Sequence, residues 1–541
     1  MRCQVGDDVG YAIRFEDKSS AKTRIRFLTD GLLLREALVD PLLSRYSVIM
    51  VDEAHERSVS TDILLGILNK IRKKRPELRI IVSSATLQAE RMATFFAGQE
   101  DQSDECKIVN LEGRNYPVDV LYLEQPVDDY VEKAVDVALS IHANEPNGDI
   151  LVFLSGREEI DKAIQLTSEG IARRPGKGQD VLPVALHAGL STDEQLYVFE
   201  PAPENTRKVV FSTNIAEASV TVDGISYVID TGYAKLRAYN PQTGIDSLTA
   251  VPISKASATQ RAGRAGRTRP GKCLRLYTES TFKLLPDSTI PEIQRSNLAS
   301  VILQLKGLGI DNIVRFKFLD PPPSRLVSRA FEFLYSLGAV DDYAKLTKPL
   351  GFRMAELSID PMMSKSLLSA SSFGCLTEML NIAAMTSLQG SVWFHHDGEK
   401  KSMQTSRRKF AAEEGDHLTL LNVYHAFTSR GRNDTKWSRD NHLNHNSLLR
   451  AVSIRNQLKR YLERFQQMEN SAVASQTNIP NENSVEKGIQ IRKCLTAGYF
   501  AHAAKMQPDG TFKSITGGVT MHAHPTSLMF VSHAISPPFS T

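Results

Sequence analysis

Asp52-Glu53-Ala54-His55 is the segment of this 541-residue chain whose residue types point most directly to chemistry. It follows the apolar run Tyr46-Ser-Val-Ile-Met-Val51, which predicts a buried strand, so both carboxylates fall where the strand ends. Open parallel sheets place their ligands at that edge. An acidic pair there can hold a magnesium ion through waters and orient the water that attacks a terminal phosphate. Taken alone, the same residues suit a turn or a helix cap.

A second segment adds the opposite charge. Gln260-Arg-Ala-Gly-Arg-Ala-Gly-Arg267 repeats arginine at every third position among small neighbours, a spacing that predicts Arg261, Arg264 and Arg267 towards one side of a helix. So many uncompensated charges suit a phosphate-facing surface, with Gln260 positioning the attacking water and Arg264 and Arg267 neutralising charge on the transferred group. Between the two segments stand Ser84-Ala85-Thr86 and Ser212-Thr-Asn-Ile-Ala-Glu217, each closing an apolar run. Their hydroxyl and amide side chains can cap helices or bond a sugar-phosphate backbone.

These segments need a sheet to hold them. Val9 to Glu16 alternates as a strand, Arg24 to Leu28 resumes the pattern, and Thr29-Asp30-Gly31 leads into a helix over Leu32 to Val39 that stops before Pro41. Ser58 to Arg75 has helical apolar spacing, and Leu78 to Ser83 predicts the next buried strand. Further strands are expected at Asp149–Leu154, Val181–Leu186, Arg207–Ser212 and Ile225–Asp230. The first of these delivers Ser155-Gly156-Arg157 to a helix start whose amides suit a phosphate, and the second ends at His187, read as structural. A polar hairpin is expected over Lys235 to Pro252. From Leu285 the pattern turns helical, with segments at Ile290–Leu305, Arg325–Leu337, Met362–Ser371, Thr377–Thr386 and Leu448–Phe465, then a polar linker from Asn470 to Glu486.

Composition bounds the rest. At 41% hydrophobic and 23% charged the chain can build several domains, and a formal charge of +3 gives no long-range case for a polyanion partner. Five scattered cysteines fit neither a disulfide framework nor a zinc cluster. No apolar run reaches membrane-spanning length and the first residues lack a signal peptide's apolar centre, so a cytosolic or nuclear protein is expected.

In this order and at these separations, the four motifs resemble those of the DEAH-box RNA helicases, most closely a spliceosome-associated group of that family, over nearly the whole chain. The resemblance implies an α/β fold of two RecA-like lobes of the P-loop NTPase type, followed by winged-helix, helical ratchet and partial OB-like domains. Expected boundaries are 1–113 for the first lobe, 114–284 for the second, 285–352 for the winged helix, 353–469 for the ratchet and 470–541 for the linker and barrel. It implies ATP and Mg2+ as cofactors, with Asp52 and Glu53 at the metal and a catalytic set of Asp52, Glu53, His55, Ser84, Thr86, Gln260, Arg264 and Arg267. Ser84 and Thr86 would link phosphate chemistry to lobe movement. Phe199 and Asp223, with Arg264 and Arg267, would contact the nucleotide; Thr29, Asp30, Ser155, Gly156, Arg157, Thr213 and Asn214 would contact RNA. The matching hairpin acts in the family as a wedge or strand guide.

One expected part is missing from these 541 residues. No Gly-Lys-Ser or Gly-Lys-Thr loop precedes Asp52 or occurs elsewhere, and Arg174-Pro-Gly-Lys-Gly-Gln179 lacks the hydroxyl. The barrel resemblance also stops after Leu528-Met-Phe530, so the sequence reads as cut at both ends. The expected function is ATP-dependent RNA translocation or unwinding in pre-mRNA splicing, with little ATPase activity in this chain, RNA and spliceosomal proteins as partners, a glycine-rich-patch activator, no DNA preference and a nuclear or also cytoplasmic location. The alternatives are a catalytically inactive RNA-binding or scaffold protein of the same descent and, remotely, a metabolic phosphotransferase.

Overall fold

The computed structural model describes residues 3–14, 16–85, 89–97, 106–111, 113, 116–173, 180–190, 192–217, 221–357, 359–388, 390–393, 400–470, 484–524 and 527. Thr86, the Arg174–Gln179 segment, most of the expected linker and the residues after 527 therefore lie outside the described residues.

The first lobe comprises β1 (Val9–Ile13), β2 (Glu16–Lys18), β3 (Ile25–Leu28), α1 (Asp30–Val39), β4 (Val48–Val51), α2 (Val59–Arg72), β5 (Arg79–Val82) and α3 (Ala89–Ala97). β1 pairs parallel with β3 and antiparallel with β2, while β4 and β5 pair parallel, Val48 opposite Arg79 and Val51 opposite Val82. The expected fully buried strand before Asp52 is instead half-buried. Ile49 and Val51 pack towards α2, whereas Val48 and Met50 are 52% and 58% exposed. A parallel strand is buried on both faces only where both carry a covering layer, and here one does among the described residues. α2 follows the predicted apolar spacing, burying Ile63, Leu64, Ile67, Leu68 and Ile71, and Ser58 caps it by accepting the amide of Thr61 at 3.1 Å.

The second lobe contains β6 (Val118–Tyr122), α4 (Tyr130–Asn144), β7 (Asp149–Phe153), α5 (Arg157–Arg173), β8 (Asp180–Leu186), α6 (Thr192–Tyr197), β9 (Thr206–Ser212), β10 (Ile225–Asp230), the hairpin β11 (Tyr233–Asn240) and β12 (Ile245–Pro252), α7 (Lys255–Gly263), β13 (Gly271–Arg275) and α8 (Glu279–Leu284). Six strands form one wholly parallel sheet in the order β6-β13-β10-β7-β9-β8. Ile150 and Val152 face α4 and α5, while Leu151 and Phe153 face the side of Ala262 and Ala265. Burial on both faces explains the near-continuous apolar runs.

Beyond residue 285 come α9 (Ala299–Gly307), α10 (Ser324–Ser336) and α11 (Leu350–Glu356), then α12 (Pro361–Ser369), α13 (Leu376–Thr386), α14 (Lys400–Arg408), α15 (Asp416–Ala426), α16 (Thr435–Asp440), α17 (His445–Asn470) and α18 (Ser484–Tyr499). The helix expected over Ile290–Leu305 starts only at Ala299, after a single 3-10 turn at Glu292–Gln294. Cys494, expected at the opening of a barrel, lies in α18; the strands β14 (Ala504–Met506), β15 (Phe512–Ser514) and β16 (Thr520–Met521) follow it as one antiparallel sheet. One apolar core runs from α1, α2 and α3 into α9, α10 and α11, so the first lobe and the unit after residue 285 pack as one body. No helix among the described residues is long and apolar enough to cross a membrane.

Candidate nucleotide and RNA sites

The turn after β4 is stitched to the end of β5. Ser83 donates its amide to the Val51 carbonyl at 2.8 Å, and Ala54 donates to the Ser83 carbonyl at 2.9 Å. Glu53 adopts left-handed backbone, φ 50°, and its amide donates to Asp52 Oδ1 at 3.0 Å, leaving both carboxylates beyond the sheet. His55 is held inside the turn. Its Nδ1 accepts the amide of Ala85 at 3.2 Å, which places the ring proton on Nε2, 3.3 Å from Glu53 Oε2. Nε2 is buried without an aligned hydrogen bond, so the ring faces the carboxylate that the attacking water would use. Ser84 is half-buried beside this contact.

Arg57, also left-handed at φ 53°, closes the turn from behind. Its guanidinium bonds Asp62 at 2.7 and 3.1 Å and Asp320 at 2.6 Å, and Asp320 in turn meets Arg91. Burial raises the Asp62 carboxyl above its ordinary range although Arg57 pulls the other way. Asp320 carries no motif signal, because Arg57 stands 263 residues away in sequence.

The arginine segment differs from the helical stripe expected for it. α7 stops at Gly263, and Arg261 is fully buried, bonded to Glu217 and Asp230 at 2.9 Å each and stacked 4.7 Å from the Phe153 ring centre. Arg261 is therefore a structural strut, and the two carboxylates that neutralise it come from distant strand ends. Past the helix, Arg264 donates to the Glu217 carbonyl and Arg267 to Thr221 Oγ1, beside the exposed Asp223. Burial lowers Arg264 to about 10, aided by neighbouring Arg267 and opposed by Glu217 and by Glu53 of the first lobe. The Glu53 charge of the first lobe is thus felt at Arg264 of the second. Gln260 is half-buried in the last turn of α7, and Phe199 is exposed after α6. Glu217, not given a role from sequence, organises this side: besides Arg261 it accepts Ser257 Oγ.

Two exposed carboxylates at a strand end are hard oxygen donors of the kind magnesium takes through water, and no group of three or more candidate metal ligands occurs among the described residues. The pair fits a phosphate-bound magnesium ion better than a resident metal site.

The expected RNA residues divide. Thr29 occupies the position before α1 without a side-chain cap bond and lines a cavity of about 560 Å3 with Arg14, Arg35, Ser300, Asp360 and Arg450. Asp30 turns away to accept Thr61 Oγ1. A second cavity of about 660 Å3 runs beside the hairpin residues Arg237, Thr243 and Asp246, and both cavities share Ser300, Asp360 and Pro361 as walls. Ser155, Gly156, Arg157, Thr213 and Asn214 of the second lobe line neither cavity. Ser155, expected to offer a free amide, is buried and bonded through both amide and hydroxyl to Glu159 at 2.8 and 2.7 Å. Gly156 is covered by Lys235, whose side chain would clash with any added Cβ. Arg157 stays exposed, 3.4 Å from Asp161, and its charge joins burial in lowering His187. Thr213 and Asn214 open the 3-10 turn after β9, Asn214 exposed.

Comparison with known proteins places this geometry. Residues 131–269 match the helicase conserved C-terminal domain, 330–359 the winged-helix part and 360–420 the ratchet-like part of the helicase associated domain. The chain is 47% identical over 532 residues to the human "Probable ATP-dependent RNA helicase DHX35", covering 97% of this chain and 74% of that protein. The Caenorhabditis elegans homolog is likewise 47% identical, over 98% of this chain and 71% of its own length. The crystal structure of the E. coli DExH-box NTPase HrpB superposes with a TM-score of 0.72 at 28% identity, over 96% of this chain and 55% of that one. With two opposed lobes, winged-helix and ratchet units and this extent of identity, the chain belongs to the DEAH-box family of ATP-dependent RNA helicases.

Proposed function

We propose that this chain is the motor of an RNA helicase that couples ATP hydrolysis to movement along RNA during pre-mRNA splicing, in the nucleus and also the cytoplasm, with spliceosomal proteins and a glycine-rich-patch activator as partners. The observation that carries the hydrolytic reading is the acidic turn after β4, its His55 bonded to Ala85 beside Glu53, within electrostatic reach of Arg264 of the other lobe. Glu53 takes the proton of the attacking water, His55 Nε2 stands 3.3 Å from that carboxylate, and Arg264 and Arg267 neutralise charge on the phosphoryl group. A magnesium ion held through water by Asp52 and Glu53 would neutralise the nucleotide's phosphates. Because the two halves belong to different lobes, hydrolysis requires closure, and closure changes the walls that hold RNA.

The RNA reading rests on the two cavities with common walls, lined by Thr29, five arginines and the hairpin. The expected boundaries 1–113, 114–284, 285–352, 353–469 and 470–541 stand as our division of the motor. Within these 541 residues no Gly-Lys-Ser or Gly-Lys-Thr occurs, which favours a second reading for this polypeptide taken alone: an RNA-binding chain with little ATPase activity. Titration of the 541-residue chain with single-stranded RNA in the absence of nucleotide tests the RNA half. Folded protein should bind at low salt and weaken as salt rises, and no binding at low salt refutes it.

A further inference from the structure

Positive charge is concentrated in one part of the chain. Residues 400–465 carry fourteen lysines and arginines against six aspartates and glutamates, although the whole chain has a formal charge of only +3. Arg408, Lys409, Arg430, Arg432, Lys436 and Arg439 are exposed, and none forms an ion pair with a described residue.

Packing brings their elements together. Trp437 of α16 lies against Gly431, where any side chain would collide with the indole, and meets Phe410 edge-on at 6.3 Å. Lys409 Nζ reaches Asn441 Oδ1 at 3.4 Å, and Ser402 Oγ bonds His442 Nε2 at 3.0 Å, so the end of α14 lies beside α16. Arg407 turns inward over the Trp393 ring, while Arg408 and Lys409 stay outside. Phe427–Gly431 is a π-helical turn that exposes Thr428, Ser429 and Arg430 in succession; such widened turns concentrate at functional surfaces. Asp434 is engaged as the cap of α16, accepting the Trp437 amide at 3.0 Å.

This face is connected to the cavity at Thr29 through α17. Ser438 Oγ bonds His445 Nδ1 at 2.9 Å where α17 begins, and Arg450, which lines that cavity, follows five residues later, about 7.5 Å along the helix axis. We propose that Arg408, Lys409, Arg430, Arg432, Lys436 and Arg439 bind the phosphate backbone of RNA as it runs outside the cavity, extending the path beyond the motor's interior. The proposal rests on RNA occupying the cavity. The aromatic rings of this region are packed inward, so recognition here is of phosphate, independent of base sequence and weakened by salt.

The test uses the 541-residue chain and a variant carrying Arg430→Gln, Arg432→Gln, Lys436→Gln and Arg439→Gln, substitutions at exposed positions whose folding is checked by an unchanged thermal melt. Binding is followed by fluorescence anisotropy with a short single-stranded RNA that fills the cavities and with the same RNA carrying a long extension. Wild type should bind the extended RNA more tightly than the short one. The variant should bind the extended RNA about tenfold or more weakly at low salt, with the slope of log affinity against log salt reduced by about 0.7 for each phosphate that is no longer neutralised, and should bind the short RNA as wild type does. Equal affinities and slopes of the two proteins for extended RNA overturn the proposal, as does an equal loss of affinity for both RNAs. Polyglutamate binding that the variant abolishes, with extended RNA unaffected, also overturns it, in favour of an acidic protein partner. If neither protein binds the short RNA while the variant still weakens the extended one, the outer face stands and the cavity reading fails.

Discussion

The amide of Ala85 donates to Nδ1 of His55 at 3.2 Å, joining the acidic turn after β4 to the Ser84-Ala85 segment after β5. One backbone donor thus fixes the imidazole tautomer and aims Nε2 at Glu53, 3.3 Å away. The segment after β5 is therefore linked through His55 to the neighbourhood of Glu53, the carboxylate proposed to activate water. In a form of the protein competent for hydrolysis, His55→Ala should lower RNA-stimulated turnover more than it lowers nucleotide affinity. Equal losses in both would mean that the ring serves binding alone.

In that same competent form, Glu53→Gln should reduce phosphate release by about two to four orders of magnitude while nucleotide binding stays nearly intact, because proton removal acts in the chemical step. Turnover at the wild-type rate would remove Glu53 from the role given to it.

Arg57→Ala should destabilise the first lobe by about 3 to 5 kcal/mol in chemical denaturation, since it leaves the fully buried Asp62 without its cation. Asp320→Asn should cost less, because Asp62 keeps its bidentate partner. If Arg57→Ala melts like wild type, the buried pair is not holding the turn.

His187 is lowered below the ordinary histidine value of 6.5 by burial first and then by Arg157. The unfolded chain therefore takes up a proton more readily than the folded one, and stability rises with pH in the window just below 6.5, being lost as the pH falls through it. His187→Asn should flatten the pH dependence of unfolding free energy in that window. An unchanged slope would assign it to other groups, such as the half-buried His417, which is lowered chiefly by the same cause.

What is legible in the sequence is local. Asp52, Glu53, Thr213 and Asn214 each fall just beyond a strand because the apolar runs before them define the strand ends. Arg261 departs from its expected place because its burial depends on Glu217 and Asp230, 44 and 31 residues earlier, and no spacing within the segment reveals them. Ser155 reads as open because Glu159, one turn later, looks like any surface acid until its carboxylate is seen on the Ser155 amide. The joint core of the first lobe with α9, α10 and α11 is invisible for the same reason.

The central claim is that hydrolysis needs a phosphate-cradling loop in addition to the two faces built here, whereas RNA binding does not. Amide donors, a lysine and a hydroxyl around the phosphates serve both affinity and transition-state charge, and without charge-assisted hydrogen bonds of about 1.5 to 3 kcal/mol each, occupancy falls by orders of magnitude. RNA-stimulated phosphate release by the purified 541-residue chain, run beside Arg267→Ala on samples shown to bind RNA, measures this directly. The account predicts release at background for both proteins. Robust turnover that Arg267→Ala abolishes would contradict it, showing that residues within this chain already do the loop's work.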